Sequence, residues 1–196
     1  MLKIDMKYKG QRSYLQGGDF FDEITNSLIA NFSTGAIKKL SFKSFARRQC
    51  GLVINERPEQ DKHVVGNGIW CKSEGDEIKF WIVETDVPVL SRYPFDEDGL
   101  VASSFIEGDT ITLDADNDYT AIENIVALTK KLNYALTPDV NGKWVFGQID
   151  MLKPIPDTFN KIQITRTTER KGMFSCNKIM IDNEHVGEIR FIVGQP

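Results

Sequence analysis

The sequence predicts an α+β fold made of two similar units, each with one helix followed by several antiparallel strands. The stretch EIKFWIV, residues 77–83, alternates so that Ile78, Phe80 and Ile82 share one face, which is typical of a half-buried strand. A closely similar strand, EIRFIV at residues 188–193, lies near the end of the chain. Each of these strands is preceded by a segment with apolar residues at helical spacing, so the same order of elements occurs twice.

The similarity extends upstream of both strands. IWCKSEG at residues 69–75 resembles IMIDNEH at residues 179–185 once one residue of slippage in the turn is allowed. A strand, a polar turn and a second strand therefore recur together. Self-similarity over so long a period favours a duplicated unit. For the repeated strands themselves we expect a structural role, because they carry alternation and no chemistry.

Two helices are predicted from the spacing of apolar residues. The first begins near Asp19, which can cap the first turn, and ends at the turn STG, residues 33–35. Its apolar positions are Phe20, Phe21, Ile24, Leu28 and Phe32. The second begins near Asp118 and ends before Pro138. Its apolar positions are Tyr119, Ile122, Ile125, Val126 and Leu132.

Segments rich in strand-forming residues follow each helix. AIKKLSFKSFARRQCGLVINE comes after the first helix, and KWVFGQIDMLKPIP and then KIQITRTTE come after the second. Between the two halves, VPVLSRYPFDEDGLVASS carries two prolines and a charged turn, which predicts a linker on the surface. We therefore predict an N-terminal unit over residues 1–92 and a C-terminal unit over residues 93–196.

Composition excludes several classes of function. The 196 residues are 41% hydrophobic and 27% charged with a net charge of -4, which argues against a protein that binds nucleic acid. The sequence shows no apolar run that would span a membrane and no apolar core of a signal peptide near residue 1, so we expect a cytoplasmic protein. Two histidines and three unpaired cysteines give no ligand set for a metal site.

The C-terminal half resembles a known superfamily. Residues 147–193 contain IDMLKPIPDTF and IDNEHVGEIRF, which are similar to the strand, turn and final hairpin of the hotdog superfamily, above all its β-hydroxyacyl carrier-protein dehydratases and acyl thioesterases. In that superfamily an antiparallel sheet wraps a long helix, and two units pair. The resemblance therefore implies a double hotdog, with two helix-wrapped antiparallel sheets joined in one chain.

The resemblance also implies a function. Hotdog proteins handle acyl groups thioesterified to coenzyme A or to an acyl carrier protein, so we expect one of these as substrate or partner and no further cofactor. Thioesterase-like hydrolysis is the leading hypothesis. The alternatives are a non-catalytic module that binds an acyl group or a protein, and an atypical dehydratase-like enzyme of secondary metabolism. A homodimer is left open.

The catalytic carboxylate of the superfamily carries over onto the two predicted helices. It matches Glu123 in AIENIVAL and, by repeat position, Asp22 in FFDEIT. A carboxylate in an apolar tunnel would have a raised pKa and could act as acid, base or water activator. The structural alternative for Asp22 is that it occupies the third helical position, where an acidic residue favours the helix dipole.

The histidine of the dehydratase branch does not carry over. Neither QRSYLQGGD nor DTITLDADND, the segments before the two helices, contains one. His63 lies in a polar segment and His185 in the turn of the last hairpin, where solvated surface histidines are the simpler expectation. Dehydration needs a proton-transfer partner of this kind, whereas thioester hydrolysis needs only a carboxylate and a group that polarises the carbonyl. Hydrolysis is therefore favoured over dehydration.

Four residues are predicted to bind the ligand. Gly17 and Gly18 allow the backbone to approach a thioester oxygen or an anion just before a helix amino terminus. Arg47 and Arg48 in FARRQC match the geometry of the phosphates of coenzyme A or phosphopantetheine. The structural alternatives are an ordinary turn at the glycines and a solvated strand face at the arginines.

Overall fold

The chain folds into two compact units. The computed structural model describes residues 1–59, 63–73, 75–114, 117–170 and 172–196. The units comprise Met1–Phe95 and Asp96–Pro196, whereas the sequence-based boundary was placed after residue 92. Each unit contains one helix of 16 residues and an antiparallel sheet, so the predicted α+β class is confirmed.

The first unit contains helix α1 (Gly17–Phe32) and seven strands. Its strands are β1 (Leu2–Lys3), β2 (Tyr8–Lys9), β3 (Gly35–Phe42), β4 (Arg48–Ile54), β5 (Val64–Lys72), β6 (Glu77–Pro88) and β7 (Arg92–Tyr93). Five of them form an antiparallel sheet in the order β1-β4-β6-β5-β3. The other two, β2 and β7, pair with each other in parallel.

The second unit contains helices α2 (Glu97–Leu100) and α3 (Ala121–Leu136). Its strands are β8 (Phe105–Glu107), β9 (Thr110–Leu113), β10 (Lys143–Met151), β11 (Ile162–Arg170), β12 (Phe174–Ile181) and β13 (Glu184–Gly194). They form an antiparallel sheet in the order β10-β13-β12-β11-β9-β8.

In each unit the long helix covers the apolar face of the sheet. Helix α1 buries Phe20, Phe21, Ile24 and Leu28, four of the five apolar positions predicted from the sequence. Strand β6 alternates as predicted, because Ile78, Phe80 and Ile82 are buried while Lys79 is exposed and Trp81 and Val83 are half-buried. In β13, Ile189 and Phe191 are buried in the same alternating way. The packing of a helical stripe on a pleated face therefore holds each unit together.

The repeated strands do not occupy the same place in the two sheets. Strand β6, which contains EIKFWIV, lies between β5 and β4, so its second neighbour is the second strand after the helix. Strand β13, which contains EIRFIV, lies between β12 and β10, so its second neighbour is the first strand after the helix. The two final hairpins correspond in chain order, but the last strand of the hairpin lies next to β4 in the first unit and next to β10 in the second. The repeat in the sequence therefore does not extend to the order of the strands in the two sheets.

Both long helices begin at residues other than those predicted. Helix α1 begins at Gly17, and Asp19 is its third residue instead of its cap. Helix α3 begins at Ala121, three residues after Asp118. Its cap is Thr120, whose side chain accepts from the backbone N–H of Glu123, while the Glu123 carboxylate accepts from the N–H of Thr120 at 3.0 Å. This reciprocal capping box satisfies two N–H groups at the start of α3.

The segment predicted as a linker contains two short elements, β7 and α2. Val87 and Leu90 are exposed there, as a linker on the surface requires, but Leu100 and Val101 are buried within the second unit.

Among the described residues, no helix is long and apolar enough to cross a bilayer.

We predict that the two helix starts differ in their sensitivity to mutation. Thr120→Ala removes the capping box and should lower the free energy of unfolding by about 1 kcal/mol. Gln16, the N-cap of α1, makes no side-chain capping bond, so the matched variant Gln16→Ala should be neutral. Urea unfolding of both variants measures the difference, and an equal loss in the two would contradict the assignment of the caps.

Candidate functional site

The amino end of α1 has no side-chain cap. Its first three N–H groups, those of Gly17, Gly18 and Asp19, precede the first intrahelical bond, which runs from Phe20 N to the carbonyl oxygen of Gln16 at 3.1 Å. Gln16 supplies no side-chain cap. The first two helical residues are glycines and have no side chains that would cover their own N–H groups; Gly17 is half-buried and Gly18 is buried.

The structure brings the predicted arginines next to this helix end. Leu15, two residues before α1, donates its backbone N–H to the carbonyl oxygen of Ala46 at 2.8 Å. The ring of Tyr14 packs edge-on against that of Phe45, with centroids 4.9 Å apart. The loop between β3 and β4 is thereby held beside the start of α1. We call Gly17, Gly18, Arg47 and Arg48 the amino-end site.

The two arginines of this site differ in their contacts. The side chain of Glu84 accepts from the backbone N–H groups of both arginines, which fixes the loop. The Arg48 guanidinium donates to the carbonyl oxygen of Asp86 at 3.0 Å and lies 3.7 Å from its carboxylate. Arg47 is exposed, and its carbonyl oxygen accepts from the hydroxyl of Tyr8. Arg47 therefore has the guanidinium that is better placed to bind a phosphate.

A buried lysine lies behind the amino end of α1. The Nζ of Lys9 is 3.0 Å from Oδ1 of Asp19, and the two side chains are only 5% and 11% exposed. The same Nζ lies 4.0 Å from the centre of the Phe95 ring and 5.7 Å from that of Tyr93. An ion pair and two aromatic faces thus compensate the loss of hydration of this ammonium group. The pair connects the N-terminal segment and the end of the first unit to α1.

Glu23 is a carboxylate that sequence reasoning did not select. It lies on the same face of α1 as Gln16 and Asp19, because the three residues are three and four positions apart. Burial, together with the negative charges of Asp5 and Asp19, raises the pKa of Glu23, and Lys7 opposes the shift. A carboxylate with a raised pKa is a better general base near neutral pH. The sequence signal that could have identified it is only its spacing from Asp19.

The two carboxylates predicted from the sequence lie on different helices in different settings. Glu123 is half-buried in the first turn of α3, where its carboxylate takes part in the capping box. Asp22 is half-buried and is the sixth residue of α1, not the third, so the dipole argument made for it is wrong. The helix position that matches Glu123 is that of Asp19, since both are the third residue of their helix.

The histidines and cysteines lie in ordinary settings. His63 is exposed, and Nε2 of His185 lies 3.2 Å from the carbonyl oxygen of Gly187 within the last hairpin. Burial, with a contribution from Glu84, raises the pKa of the Cys50 thiol to about 12, which makes it a poor nucleophile. No group of three metal-binding side chains occurs within the described parts of the chain.

Comparison with known proteins identifies the fold. No family model and no curated protein sequence matches the chain. Among solved structures, the dehydratase domain of PpsC from Mycobacterium tuberculosis, in complex with C12:1-CoA, is 8% identical, with a TM-score of 0.50 over 98% of this chain and 87% of that one.

Two further solved structures are similar. The TesB protein of Mycobacterium avium subsp. paratuberculosis is 7% identical, with a TM-score of 0.48 over 95% of this chain and 89% of that one. A monomeric dehydratase domain from a trans-AT polyketide synthase split module is 11% identical, with a TM-score of 0.47 over 98% and 97%. The fold is that of the hotdog superfamily, as a double hotdog, and the resemblance seen in the sequence is confirmed at this level.

We predict that the Lys9–Asp19 pair is required for stability. Lys9→Met leaves a buried carboxylate without its cation and should reduce the free energy of unfolding by about 3 kcal/mol. The double variant Lys9→Met/Asp19→Asn should recover part of this loss, because no unpaired charge remains. Guanidinium unfolding of the single and double variants tests this, and additive losses would show that the two groups are not coupled.

We also predict a pH dependence that originates at Glu23. Its pKa is higher in the folded state than the ordinary 4.5, so as pH rises through 4.5 the unfolded state loses its proton first. Stability conferred by the protonated form is therefore lost as pH rises through the folded pKa. Glu23→Gln should melt at a higher temperature than the wild type at pH 7, and the difference should shrink to zero below about pH 4. A difference independent of pH would contradict the assignment.

Proposed function

We propose that the protein binds acyl thioesters of coenzyme A or of an acyl carrier protein at the amino-end site and hydrolyses them. The observation that carries this proposal is the placement of the glycine-rich start of α1, which has no side-chain cap, beside the loop of Arg47 and Arg48. The double-hotdog fold supports it, since the structurally similar PpsC dehydratase domain was solved in complex with C12:1-CoA.

The amino-end site offers donors for two parts of such a ligand. The N–H groups of Gly17 and Gly18, at the positive end of the helix dipole, would donate hydrogen bonds to the thioester carbonyl oxygen. The exposed guanidinium of Arg47 would bind a phosphate of the coenzyme A or phosphopantetheine moiety, for which its planar set of donors is suited. Both interactions favour negative charge on the ligand.

Hydrolysis requires a base as well as an electrophilic site. In the proposed step, a carboxylate takes a proton from water, the hydroxide forms a bond to the carbonyl carbon, and the carbon–sulfur bond breaks. The thiolate takes up the proton, so the products are a carboxylic acid and a thiol. We propose Glu23 as the base, because it lies on α1, the helix whose amino end carries the glycine N–H groups, and because burial raises its pKa; Asp22 and Glu123 are the other candidates.

A non-catalytic acyl-binding module is the second candidate. It is favoured by a specific observation: the Glu123 carboxylate, onto which the superfamily's catalytic position carries over, accepts the N–H of Thr120 and so stabilises its own helix. A carboxylate engaged in this way is explained without catalysis. The two candidates differ only in whether bound thioester is consumed.

The decisive experiment measures thioester binding and thiol release in parallel. Acyl-coenzyme A thioesters of two to sixteen carbons would be incubated with the protein, with free thiol followed by absorbance and complexes by native mass spectrometry. We expect thiol release that Glu23→Gln reduces by about 100-fold or more, the usual contribution of a general base. Asp22→Asn and Glu123→Gln should retain it. Loss in one of these two instead would move the base to that residue.

The arginines provide an independent test of the ligand head group. Arg47→Ala should weaken binding by about tenfold, consistent with the loss of one charge-assisted phosphate contact. Arg170→Ala, which removes an exposed arginine of the second unit, is the matched control and should bind normally. Binding without turnover would favour the non-catalytic module. If the protein neither binds nor hydrolyses any thioester of the panel, the proposal is contradicted.

A further inference from the structure

The guanidinium group of Arg92, on the short strand β7, is held in a fixed place although the residue is exposed. One of its nitrogens donates to the carbonyl oxygens of Gly10 and Arg12, to the second of them at 2.8 Å. Its central carbon lies over the ring of Tyr8, 5.1 Å from the ring centre. Arg92 therefore presents a planar cation whose position is set by the protein while the residue remains accessible to solvent.

Backbone pairing explains why the position of Arg92 is fixed. Strands β2 and β7 place Tyr8 directly opposite Arg92, and residues opposite each other on paired strands share a face. The backbone N–H of Tyr8 donates to the carbonyl oxygen of Ser91 at 3.0 Å, and that of Gly10 donates to the carbonyl oxygen of Tyr93 at 2.9 Å. The stacking of guanidinium on ring is thus built into the pairing of two segments that are far apart in the sequence.

The same tyrosine contacts the loop that carries Arg47. The Tyr8 hydroxyl donates to the carbonyl oxygen of Arg47 at 2.6 Å. The backbone N–H of Arg47 donates to the side chain of Glu84, and Arg47 is exposed. Two exposed arginines therefore adjoin one tyrosine side chain, Arg92 over its ring and Arg47 at its hydroxyl. We call Tyr8, Arg47 and Arg92 the tyrosine–arginine site.

A neighbouring cation shows how a purely structural arrangement differs. Lys9 also lies over an aromatic ring, 4.0 Å from the centre of Phe95, but its side chain is only 5% exposed and is paired with Asp19. The contacts of Arg92 are instead with two carbonyl oxygens and one ring, and none of the described carboxylates forms an ion pair with it. The charge of Lys9 is used within the fold, whereas that of Arg92 is available to an anionic ligand at the surface.

The chemistry of the tyrosine–arginine site fits a nucleotide. A guanidinium plane stacks on nucleic-acid bases as well as on aromatic rings, so Arg92, with Tyr8 on one face, can take a base on the other. An exposed arginine binds phosphate oxygens through its planar set of donors, which is the role already proposed for Arg47. Coenzyme A carries an adenine, a diphosphate and a 3′-phosphate, whereas phosphopantetheine on a carrier protein carries a single phosphate and no base. Only coenzyme A would use both arginines.

We propose that the thioester ligand of this protein is a coenzyme A thioester, whose adenine stacks on Arg92 while one of its phosphates binds Arg47. This inference rests on the proposed function, because it specifies the head group of the same ligand at the same part of the first unit. The thioester of an acyl carrier protein would leave Arg92 without a base to bind.

The test titrates the full chain with four probes by isothermal titration calorimetry: coenzyme A, 4′-phosphopantetheine, adenosine 3′,5′-bisphosphate and inorganic pyrophosphate. We expect coenzyme A to bind at least about tenfold more tightly than 4′-phosphopantetheine, because stacking of one base contributes about this much. Adenosine 3′,5′-bisphosphate should bind about tenfold more tightly than pyrophosphate, which has the charge but no base.

Three variants connect the nucleotide to the tyrosine–arginine site. Arg92→Lys keeps the charge but loses the plane, and Tyr8→Leu removes the ring beneath it, so each should weaken binding of adenosine 3′,5′-bisphosphate by about tenfold. Arg190→Lys is the matched control, because Arg190 is exposed and lies 5.2 Å from the centre of the Phe174 ring in the second unit. It should bind the probes as the wild type does. Melting temperatures separate a loss of binding from a loss of folding, and either of the first two variants suffices.

The outcomes separate this inference from the proposed function. Equal affinity for coenzyme A and 4′-phosphopantetheine, or undiminished binding of the bisphosphate by Arg92→Lys, would overturn the inference, and thiol release from an acyl-phosphopantetheine would then leave the proposed function standing. Equal affinity for the bisphosphate and pyrophosphate would also overturn it, because charge alone would explain the binding. Binding of the bisphosphate that depends on Arg92, without thiol release from any acyl-coenzyme A, would support the inference and contradict hydrolysis. Binding of none of the probes would contradict both.

Discussion

Each sheet of this protein has an apolar face that must be covered, and the long helix of the same unit covers it. In the first unit, α1 packs against β3, where the ring centre of Phe20 lies 5.5 Å from that of Phe42. The pleat of the sheet determines which residues of every strand are buried. The direction of the helix determines at which end of the unit N–H groups lack an intrahelical partner. The position of the proposed site is therefore a consequence of the packing that stabilises the fold.

The two helices meet this constraint in the same way but differ at their amino ends. Helix α3 satisfies the N–H groups of Thr120 and Glu123 with the capping box that these two residues form. Helix α1 begins with two glycines after an N-cap that contributes no side-chain bond, and its third residue is held by Lys9. A capped helix end has fewer N–H groups available to a ligand than a helix end without a side-chain cap. This asymmetry is why we propose the ligand-binding site at α1 and not at α3.

The fold class could be predicted because alternation in strands and helical spacing report burial directly, as Ile78, Phe80 and Ile82 show. The capping box was missed although Thr120 and Glu123 have its spacing, because Asp118 appeared to be the stronger cap. The Lys9–Asp19 pair could not be predicted, since a buried lysine has no local pattern and depends on Tyr93 and Phe95 from the far end of the unit.

A repeated sequence also predicts less than it suggests. Alternation specifies the face of a strand but not its neighbours, so EIKFWIV and EIRFIV can be similar in sequence and still pair with different strands. Matching Asp22 with Glu123 by their positions in the sequence repeat is therefore not a reliable guide to equivalent positions in the two units. Counting from the helix start instead matches Glu123 with Asp19, and both carboxylates are engaged, one in a capping box and one in a buried ion pair. The first turn of each helix thus uses its acidic residue for structure, whereas Glu23, in the second turn of α1, is a carboxylate whose pKa is raised by burial and by the charges of Asp5 and Asp19.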